Sequence, residues 1–361
     1  MEHHRSTSPQ TLVPLLRALP KVELHRHLEG SLRLSTVAEI AQAYHLALPE
    51  DIERLRPLVQ MTPGDDLSAE TFIAKFGVLR SFYRSPEIID RVAYEAVADA
   101  AAEHIVYLEL RFTPLALARE MGFPLAEVAD WVLAAVRRAE ADFGITARLI
   151  VSMNRHESPQ LGEQCVDIAI ERMDRGVVGV DLAGLENHYA GSPFAPAFRK
   201  AREAGLAITI HAGEWAGPES VLEAVEELGA MRLGHGVRVI EAPSVAALVR
   251  ERGIALEVCP TSNIQTGVVK SLDEHPLRAL YQMGLLTTIN TDDPQVSATT
   301  LTNEYLVAMQ HLDFTLEDIK QHVLNAAQAA FLPAAEREDL IRRLRAELDP
   351  ARQASSTSSS P

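Results

Sequence analysis

The chain has 361 residues, 47% of them apolar, and carries a formal charge of −16 from 34 basic and 50 acidic side chains. This length and apolar content suffice for a large core, while the acidic balance disfavours nucleic acid and anionic membranes as partners. No run is apolar enough to span a bilayer, and the first residues lack the apolar stretch of a signal peptide. We therefore expect a cytoplasmic protein that acts on a small molecule.

The predicted elements begin after a polar segment, residues 1–10, that is expected to be flexible. Residues 11–19 are predicted to form a short helix. Patterns with helical spacing, such as 218–228 and 242–252, alternate with short apolar runs. The tail, residues 351–361, is rich in serine and is predicted to be disordered. The eight apolar runs, near-continuous as in parallel strands buried on both faces, are 22–25, 105–112, 147–153, 177–183, 207–212, 231–235, 255–259 and 287–291.

Eight strand-then-helix units predict an α/β fold, a (β/α)8 TIM barrel in which residues 11–350 form a single metallo-hydrolase domain. A doubly wound open sheet is the alternative. It fits less well because polar residues follow at least four separate strands, and only a closed barrel gathers all strand ends around one mouth. The long segment 35–98 contains several helical patterns. We expect these extra helices to cover the barrel mouth as a lid, or otherwise to pack on the outside.

Two histidines separated by one residue, His25 and His27, end the first apolar run. In an extended strand residues i and i+2 share a face, so these two imidazoles form half of a metal site. Three later strands end near His211, His235 and Asp292. Three imidazoles and a carboxylate, from His25, His27, His211 and Asp292, suit one zinc ion and leave a position for water. Iron and cobalt have overlapping ligand preferences.

Three further residues are candidates for proton transfer and substrate contact. Glu214, three residues beyond His211, is expected to face the pocket and carry a proton, or else to be a solvated loop carboxylate. His235, flanked by two glycines, is expected to orient a hydroxide, to stabilise charge or to serve as a further ligand. Asp293 is expected to accept a hydrogen bond from a substrate N–H, or to cap a turn.

Six motifs resemble those of the adenosine deaminase family, in order and at suitable spacing between about residues 20 and 332. The segment FIAKF at 72–76 is also similar to the gating helix of that family. The six motifs are PKVELHRHLEGS at 20–31, GVDLAG at 179–184, HAGE at 211–214, RLGHG at 232–236, CPTSNIQTG at 259–267 and NTDDP at 290–294.

This resemblance implies a zinc-dependent hydrolytic deaminase of the amidohydrolase type. By position, Glu214 resembles the acid that protonates the purine nitrogen N1, and His235 the residue that positions the hydroxide. Asp293 resembles the contact to N7, and the backbone of Gly184 the contact to N3. The resemblance implies His25, His27, His211 and Asp292 as zinc ligands, and His27, Glu29, Gly184 and Asp293 as substrate contacts.

Two positions depart from the family pattern. Glu29 stands where an aspartate usually holds the ribose 5′-hydroxyl, and Leu185 where an acidic residue commonly follows the glycine. Glutamate at the first position resembles related branches that act on adenine or on 5′-substituted adenosines. We therefore predict deamination of adenosine or 2′-deoxyadenosine, with a 5′-modified adenosine such as 6-aminodeoxyfutalosine, or free adenine, as the alternative. Glu29 is expected to accept a hydrogen bond from the sugar, or merely to cap its turn.

Two readings from other classes are disfavoured. A catalytically inactive relative that acts in binding or signalling should lack a ligand or the glutamate, and none is missing. A metal-dependent phosphoesterase on the same fold would need more cationic groups near the site than these motifs supply.

Cys259 lies in an apolar run and is predicted to be a small buried residue, since two cysteines make no disulfide framework. The sequence leaves the oligomeric state open.

Overall fold

A computed structural model describes residues 9–349 of the chain. Its centre is one sheet of eight parallel strands that pair in sequence order. The predicted flexible segment 1–10 lies outside the described residues apart from its last two positions, and the predicted tail 351–361 lies wholly outside them. The strands are β1 (Lys21–His27), β2 (Ile105–Phe112), β3 (Thr146–Asn154), β4 (Val177–Ala183), β5 (Ala207–Ala212), β6 (Arg232–His235), β7 (Ala255–Val258) and β8 (Thr287–Ile289).

The barrel closes where β1 meets the chain that leaves β8. Arg26 and Asp292 form a parallel bridge. The Asp292 N–H donates to the His25 carbonyl at 3.0 Å, and the His27 N–H donates to the Asp292 carbonyl at 2.8 Å. The predicted (β/α)8 barrel is therefore confirmed, and the candidate ligands Asp292, His25 and His27 lie on its closing seam.

Strands β2, β4 and β5 have the predicted bounds, and the others differ at their ends for local reasons. β1 extends to His27, so both of its histidines lie within the strand. β7 ends before Cys259 because Pro260 begins a helix. β8 is shorter than predicted because the chain turns out of the sheet, with Asp292 in the left-handed region at φ 63°.

Helices follow the strands and surround the barrel. Several of them begin at a proline, whose fixed φ suits the first turn and whose missing N–H would have no partner there. The helices of the described residues are α1 (Pro9–Ala18), α2 (Leu34–Ala43), α3 (Ile52–Val59), α4 (Ala69–Leu79), α5 (Pro86–Ala102), α6 (Pro114–Ala118), α7 (Leu125–Phe143), α8 (Pro159–Ile170), α9 (Ala195–Ala204), α10 (Pro218–Glu226), α11 (Pro243–Glu251), α12 (Pro260–Gln265), α13 (Leu277–Gln282), α14 (Leu301–His311), α15 (Leu316–Ala329) and α16 (Ala334–Leu348).

The long connection between β1 and β2 contributes four helices, α2 to α5. Ser68 precedes helix α4 as its N-cap, and its hydroxyl accepts the Thr71 N–H. Its residues Phe72 and Phe76 line the main cavity at the barrel mouth. Helix α4 therefore lies at the mouth as expected, and a lid movement of these extra helices stays a prediction. Among residues 9–349, no helix combines the length and the hydropathy that a bilayer crossing requires.

The barrel interior carries a charged layer at the end opposite the mouth. Arg232 of β6 donates to Glu109 of β2, to Glu257 of β7 at 2.5 Å and to the Ala329 carbonyl at 2.8 Å. Its guanidinium also lies 3.4 Å above the Phe331 ring. All three guanidinium nitrogens are thus paired, which compensates for burying the charge.

Candidate active site

The barrel mouth brings the five predicted histidine and aspartate residues together. The Nε2 atoms of His27 and His211 are 3.3 Å apart. Asp292 Oδ1 lies 3.1 Å from His25 Nε2 and 3.4 Å from His27 Nε2, and its Oδ2 lies 3.8 Å from His235 Nε2. Four side chains each offer one ligand atom, and these atoms all lie within 4.8 Å of one another. They belong to His25, His211, His235 and Asp292. His27 contacts this group through His211 and Asp292.

The outer nitrogens of two histidines are fixed by buried carboxylates. His25 Nδ1 donates to Glu257 at 2.8 Å, and His211 Nδ1 donates to Asp181 at 3.0 Å. Burial by itself raises the pKa of each carboxyl, but the Arg111 guanidinium, with Arg232 at Glu257 and His211 at Asp181, outweighs burial and holds both pKa values well below their usual range. Both carboxyls are therefore ionised acceptors. Each imidazole keeps its proton on Nδ1 and presents the Nε2 lone pair to the site.

His235 is fixed in the opposite tautomer by a chain of hydrogen bonds. The backbone N–H of Leu277 donates to His275 Nδ1 at 3.2 Å, so His275 carries its proton on Nε2. That nitrogen donates to Asn263 Oδ1 at 3.3 Å, and Asn263 Nδ2 donates to His235 Nδ1 at 3.1 Å. The proton of His235 therefore sits on Nε2, which faces Glu214 and Asp292. Because the chain starts at a backbone N–H, the donor direction is fixed at every step.

These contacts fit a metal ion. His25 Nε2 is buried, has no hydrogen-bond partner among residues 9–349, and faces a carboxylate oxygen of Asp292. Two acceptors at that distance are stabilised by a cation or a proton between them. His25 and His211 present lone pairs, whereas His235 presents an N–H. This difference disfavours His235 as a ligand, and His27 as the third imidazole ligand stays a prediction.

Asp292 is held in place by its backbone and by Ser262. The Ser262 hydroxyl donates to Asp292 Oδ2 at 2.8 Å. Asp292 and His235 both adopt left-handed backbone conformations, with φ of 63° and 59°. Such strain at non-glycine residues is found where a site positions its side chains.

Glu214 lies in the same cavity, 3.6 Å from His235 Nε2. Burial raises its pKa well above the usual value, and the nearby carboxylates of Asp292 and Glu186 raise it further. Glu186 also fixes the loop that carries Glu214. Its carboxylate accepts the Glu214 N–H at 2.7 Å, the Ala216 N–H, and the Ser220 hydroxyl at 3.1 Å. Glu186 thus supplies an acidic residue two positions after Gly184, whereas in the family pattern the acidic residue directly follows the glycine.

Asp293 and Glu29 lie on the cavity wall, and each has a buried oxygen without a hydrogen-bond partner in the described chain. Burial raises the pKa of Asp293 well above its usual range, and Asp292, Glu29 and Glu214 add to the shift. The Glu29 Oε1 accepts the Thr113 N–H at 2.6 Å, while burial raises its pKa to about 7. A β-carbon on Gly30 would lie 1.9 Å from Asp293 Oδ1, so only glycine fits there.

The cavity joins the polar cluster to an apolar wall. Gly184, at φ 95°, lies on this wall together with Leu185 and Trp215. Aromatic and aliphatic side chains of this kind pack against the faces of a planar ring. The apolar lining consists of Phe72, Ile73, Phe76, Ala116, Ala183, Leu185 and Trp215.

A family model described as adenosine deaminase matches residues 20–347. This chain belongs to the adenosine deaminase family. A family member named adenosine deaminase, from Serratia proteamaculans, is 40% identical over 328 residues, which cover 91% of this chain and 98% of the relative.

Solved structures also resemble this adenosine deaminase family chain. A cog1816 amidohydrolase from Burkholderia ambifaria, described with bound Zn, matches with a TM-score of 0.87 and 28% identity over 98% of this chain and 97% of its own. An N6-methyl-AMP deaminase from Arabidopsis thaliana matches with a TM-score of 0.81 and 28% identity, covering 94% of this chain and 98% of its own.

Several residues of the site were not predicted from the sequence. Asp181, Glu257 and Arg111 all lie in strands that read as near-continuous apolar runs. A charged residue inside a strand buried on both faces is the signal that would have marked them as interior partners. Asn263 lies in the motif CPTSNIQTG, but the sequence by itself indicates no role for it.

Proposed function

We propose that this protein is a zinc-dependent hydrolytic deaminase of aminopurine nucleosides. Its leading substrates are adenosine and 2′-deoxyadenosine, which it converts to inosine and 2′-deoxyinosine with release of ammonia. One observation carries the proposal. A single cavity brings together a histidine–aspartate cluster that fits a metal and the buried, proton-holding carboxyl of Glu214, in a chain of the adenosine deaminase family.

We propose that His25, His27, His211 and Asp292 hold the zinc ion. A bound zinc ion lowers the pKa of a coordinated water and so supplies a hydroxide nucleophile near neutral pH. The carboxylates of Glu257 and Asp181 orient two of these imidazoles, and Ser262 orients the aspartate. Such outer partners fix both tautomer and direction.

Glu214 supplies the proton that the purine ring needs. Its raised pKa keeps the carboxyl protonated, so it can donate to N1 and make C6 electrophilic. His235 holds its proton on Nε2, close to Glu214 and Asp292, and from there donates to the oxygen that attacks C6. Glu214 and His235 therefore both carry the proton that their proposed roles as donors require.

Two further groups bind the base in this proposal. The raised pKa of Asp293 keeps a proton on its carboxyl, and N7 of a purine is an acceptor, so Asp293 donates to N7 instead of accepting from the substrate. The backbone of Gly184, which lies on the cavity wall, contacts N3. Together with Glu214 they contact three ring nitrogens and specify an aminopurine.

We also propose that the protein works in the cytoplasm on a small molecule, without a nucleic acid or membrane partner. Cys165 and Cys259 are both buried free thiols, which fits a reducing compartment. The formal charge of −16 opposes binding to polyanions.

A substrate panel on metal-analysed protein tests the proposal. We expect about one zinc per chain and a higher kcat/KM for adenosine and 2′-deoxyadenosine than for adenine, 5′-methylthioadenosine or 6-aminodeoxyfutalosine. Exhaustive chelation should remove activity, and added zinc should restore it. Full activity in metal-free protein, or no deamination of any aminopurine by zinc-loaded protein, would overturn the proposal.

A further inference from the structure

His235 lies close enough to the candidate metal ligands to become one of them, yet it presents a proton to the site. It offers one of the four ligand atoms that lie within 4.8 Å of one another, a group that does not include His27. Distance by itself would therefore favour His235 as a ligand. An imidazole coordinates a metal only through a ring nitrogen that carries no proton. The position of one proton on this ring thus decides whether His235 is a ligand or a proton donor.

The three histidines of this group differ in the side chain that contacts their Nδ1. Those of His25 and His211 each contact a buried carboxylate, at 2.8 and 3.0 Å. An ionised carboxylate can only accept, so it holds the proton on Nδ1 and leaves Nε2 free to bind a metal. His235 Nδ1 instead contacts the amide nitrogen of Asn263 at 3.1 Å. That nitrogen can only donate, so the proton of His235 is placed on Nε2.

The direction of the Asn263 amide is set by His275. An amide has an acceptor at one atom and donors at the other, so turning it over would reverse the tautomer of His235. Burial lowers the pKa of His275 to about 4, so its neutral ring carries a single proton. The Leu277 N–H donates to His275 Nδ1, which leaves that proton on Nε2, 3.3 Å from Asn263 Oδ1. Asn263 therefore turns its oxygen to His275 and its nitrogen to His235.

The first donor of this chain belongs to the backbone and cannot be reversed. Leu277 begins helix α13, and the N–H groups of a first helical turn have no acceptor within their own helix. The backbone of Asn263 is also fixed, because its N–H donates to the Cys259 carbonyl and its carbonyl accepts the Val269 N–H, both at 2.9 Å. The side chains of Asn263 and His275 are buried, which protects their hydrogen bonds from water. The fold thus determines the order of donors and acceptors.

We propose that Asn263 and His275 are positioning residues that keep His235 out of the metal's ligand set and hold it as a proton donor. This inference rests on the proposed function, in which His235 donates to the oxygen that attacks C6. The two residues act only through the His235 ring and contact neither the metal nor the substrate. They decide which of the clustered imidazoles can bind the metal and which one serves the reaction.

Asn263→Asp tests the inference, because it replaces the donor at His235 with an acceptor of nearly the same size. The new carboxylate accepts from His275 Nε2 and from His235 Nδ1, so two donors compensate for its burial. The Nε2 lone pair of His235 then faces the cluster, as it does in His25 and His211. We expect kcat to fall by ~10²–10³-fold, the usual effect of removing one transition-state donor. Zinc affinity, measured by chelator competition, should equal or exceed that of the parent.

Nitrogen-15 NMR of the zinc-loaded proteins locates the proton independently of turnover. In the parent, the His235 ring should have a protonated Nε2 and an unprotonated Nδ1. Asn263→Asp should move the proton to Nδ1, and His235→Gln identifies the resonances by their loss. Cobalt-loaded protein gives a further readout, because the visible spectrum should change in Asn263→Asp if His235 joins the ligands.

Two histidine variants are the controls. In His275→Gln the new amide can still donate to Asn263 and accept the Leu277 N–H, so we expect the parental His235 tautomer and a kcat within about tenfold of the parent. His322→Gln controls for the loss of a buried imidazole. His322 is also buried with a pKa lowered by burial to about 4, but its ring contacts Thr287 and the Asp318 carbonyl outside the cavity lining. This variant should leave the His235 resonances unchanged.

A parent protein with an unprotonated His235 Nε2 would overturn the inference without any variant. The inference also fails if Asn263→Asp keeps the parental kcat, if it weakens zinc binding as well as turnover, or if His275→Gln loses as much activity as Asn263→Asp. In a parent that deaminates adenosine, such a result removes only the positioning role. If the zinc-loaded parent deaminates no aminopurine, the proposed function fails, and the role of Asn263 and His275 in it fails as well.

Discussion

The two ends of the barrel both carry buried charged side chains, and they differ in how completely these are paired. We call the end opposite the mouth the closed end. There every guanidinium nitrogen of Arg232 has an acceptor, and Glu109 also accepts from the Tyr107 hydroxyl and the Phe331 N–H. At the mouth, buried polar atoms of several side chains have no partner within the described chain. These are His25 Nε2, Glu29 Oε2, Asp293 Oδ1, Trp215 Nε1 and Arg80 Nε.

The difference separates structural charge from functional charge. Buried polar groups in folded proteins are almost always hydrogen-bonded, so a cluster of exceptions indicates a site that a ligand completes. Glu257 connects the two ends, since one of its oxygens accepts from Arg232 and Thr209 and the other from Arg111 and His25. We therefore expect changes at the mouth to alter activity with little effect on folding, and changes at the closed end to do the reverse.

The largest expected effect is on turnover, from Glu214→Gln at the mouth. The variant removes the proton donor and should lower kcat by ~10²–10⁴-fold. Because burial raises the pKa of the parent carboxyl and so favours its neutral form, the nearly isosteric amide should change the free energy of unfolding by less than about 1 kcal/mol. Steady-state kinetics and urea denaturation measure the two quantities.

Glu219→Gln is the control for this prediction. Glu219 is an exposed carboxylate in the first turn of α10, the helix after the same loop, and it lies outside the cavity lining. Its kcat should stay within about twofold of the parent. A Glu214→Gln enzyme with nearly parental kcat would remove Glu214 from the mechanism and weaken the contrast between the two ends.

The largest effect on stability is expected from Arg232→Met at the closed end. The variant leaves Glu109 buried without a cation and Glu257 paired with Arg111 alone, which costs about 3–5 kcal/mol in the free energy of unfolding. Adding Glu109→Gln should recover part of this loss, since the two residues are coupled.

The surface pair of Arg343 and Asp339 is the control for the closed end. Arg343 is largely exposed, so Arg343→Met should cost only ~0–1 kcal/mol. Equal costs for Arg232→Met and Arg343→Met, measured by urea denaturation, would show that the buried layer is not the structural charge we describe.

A smaller effect is expected from Glu29→Gln, and it concerns specificity. Losing a hydrogen bond between the carboxylate and a sugar hydroxyl should lower kcat/KM for adenosine by ~10–150-fold more than for free adenine. The Thr113 N–H can still donate to the amide oxygen, so the fold is preserved. Equal losses on adenosine and adenine would assign Glu29 to the structure alone, as a residue that caps its turn.

Glu304 is a matched control for Glu29, because it is also fully buried with a pKa raised by burial to about 7. It differs in that both of its oxygens accept hydrogen bonds, from Thr261 and Thr299. Glu304→Gln should leave unchanged the ratio of kcat/KM for adenosine to that for adenine.

The raised pKa of Glu304 means that the folded protein holds the proton of this carboxyl more tightly than the unfolded chain. Stability should therefore fall as pH rises from about 4.5 through 7 in the parent, and less in Glu304→Gln.

The smallest effect is expected from Ser262→Ala, which removes the hydroxyl that orients Asp292. Loss of such an outer contact should weaken zinc affinity by ~10–100-fold. Ser297→Ala is the control, because the Ser297 hydroxyl is buried but has no hydrogen-bond partner in the described part of the chain. Competition with a chelator measures both affinities. Indistinguishable values for the two variants would contradict an orienting role for Ser262.

The amino-acid sequence by itself determined the eight strands and the candidate ligands. Apolar runs are local signals, and strands buried on both faces must be apolar throughout, so β2, β4 and β5 were predicted to the residue. The ligands were predictable because parallel strands of a barrel end at one mouth, whichever residues fill the interior.

Only the tertiary structure decided which residues support those ligands. His25 and Glu257 are 232 positions apart, and His211 and Asp181 are 30 apart, so no local pattern pairs them. The tautomer of His235 depends on a backbone N–H at Leu277, which is far from His235 in the sequence. A hydrogen bond is selected by distance in space, and closure of the barrel, not the order of residues, sets those distances.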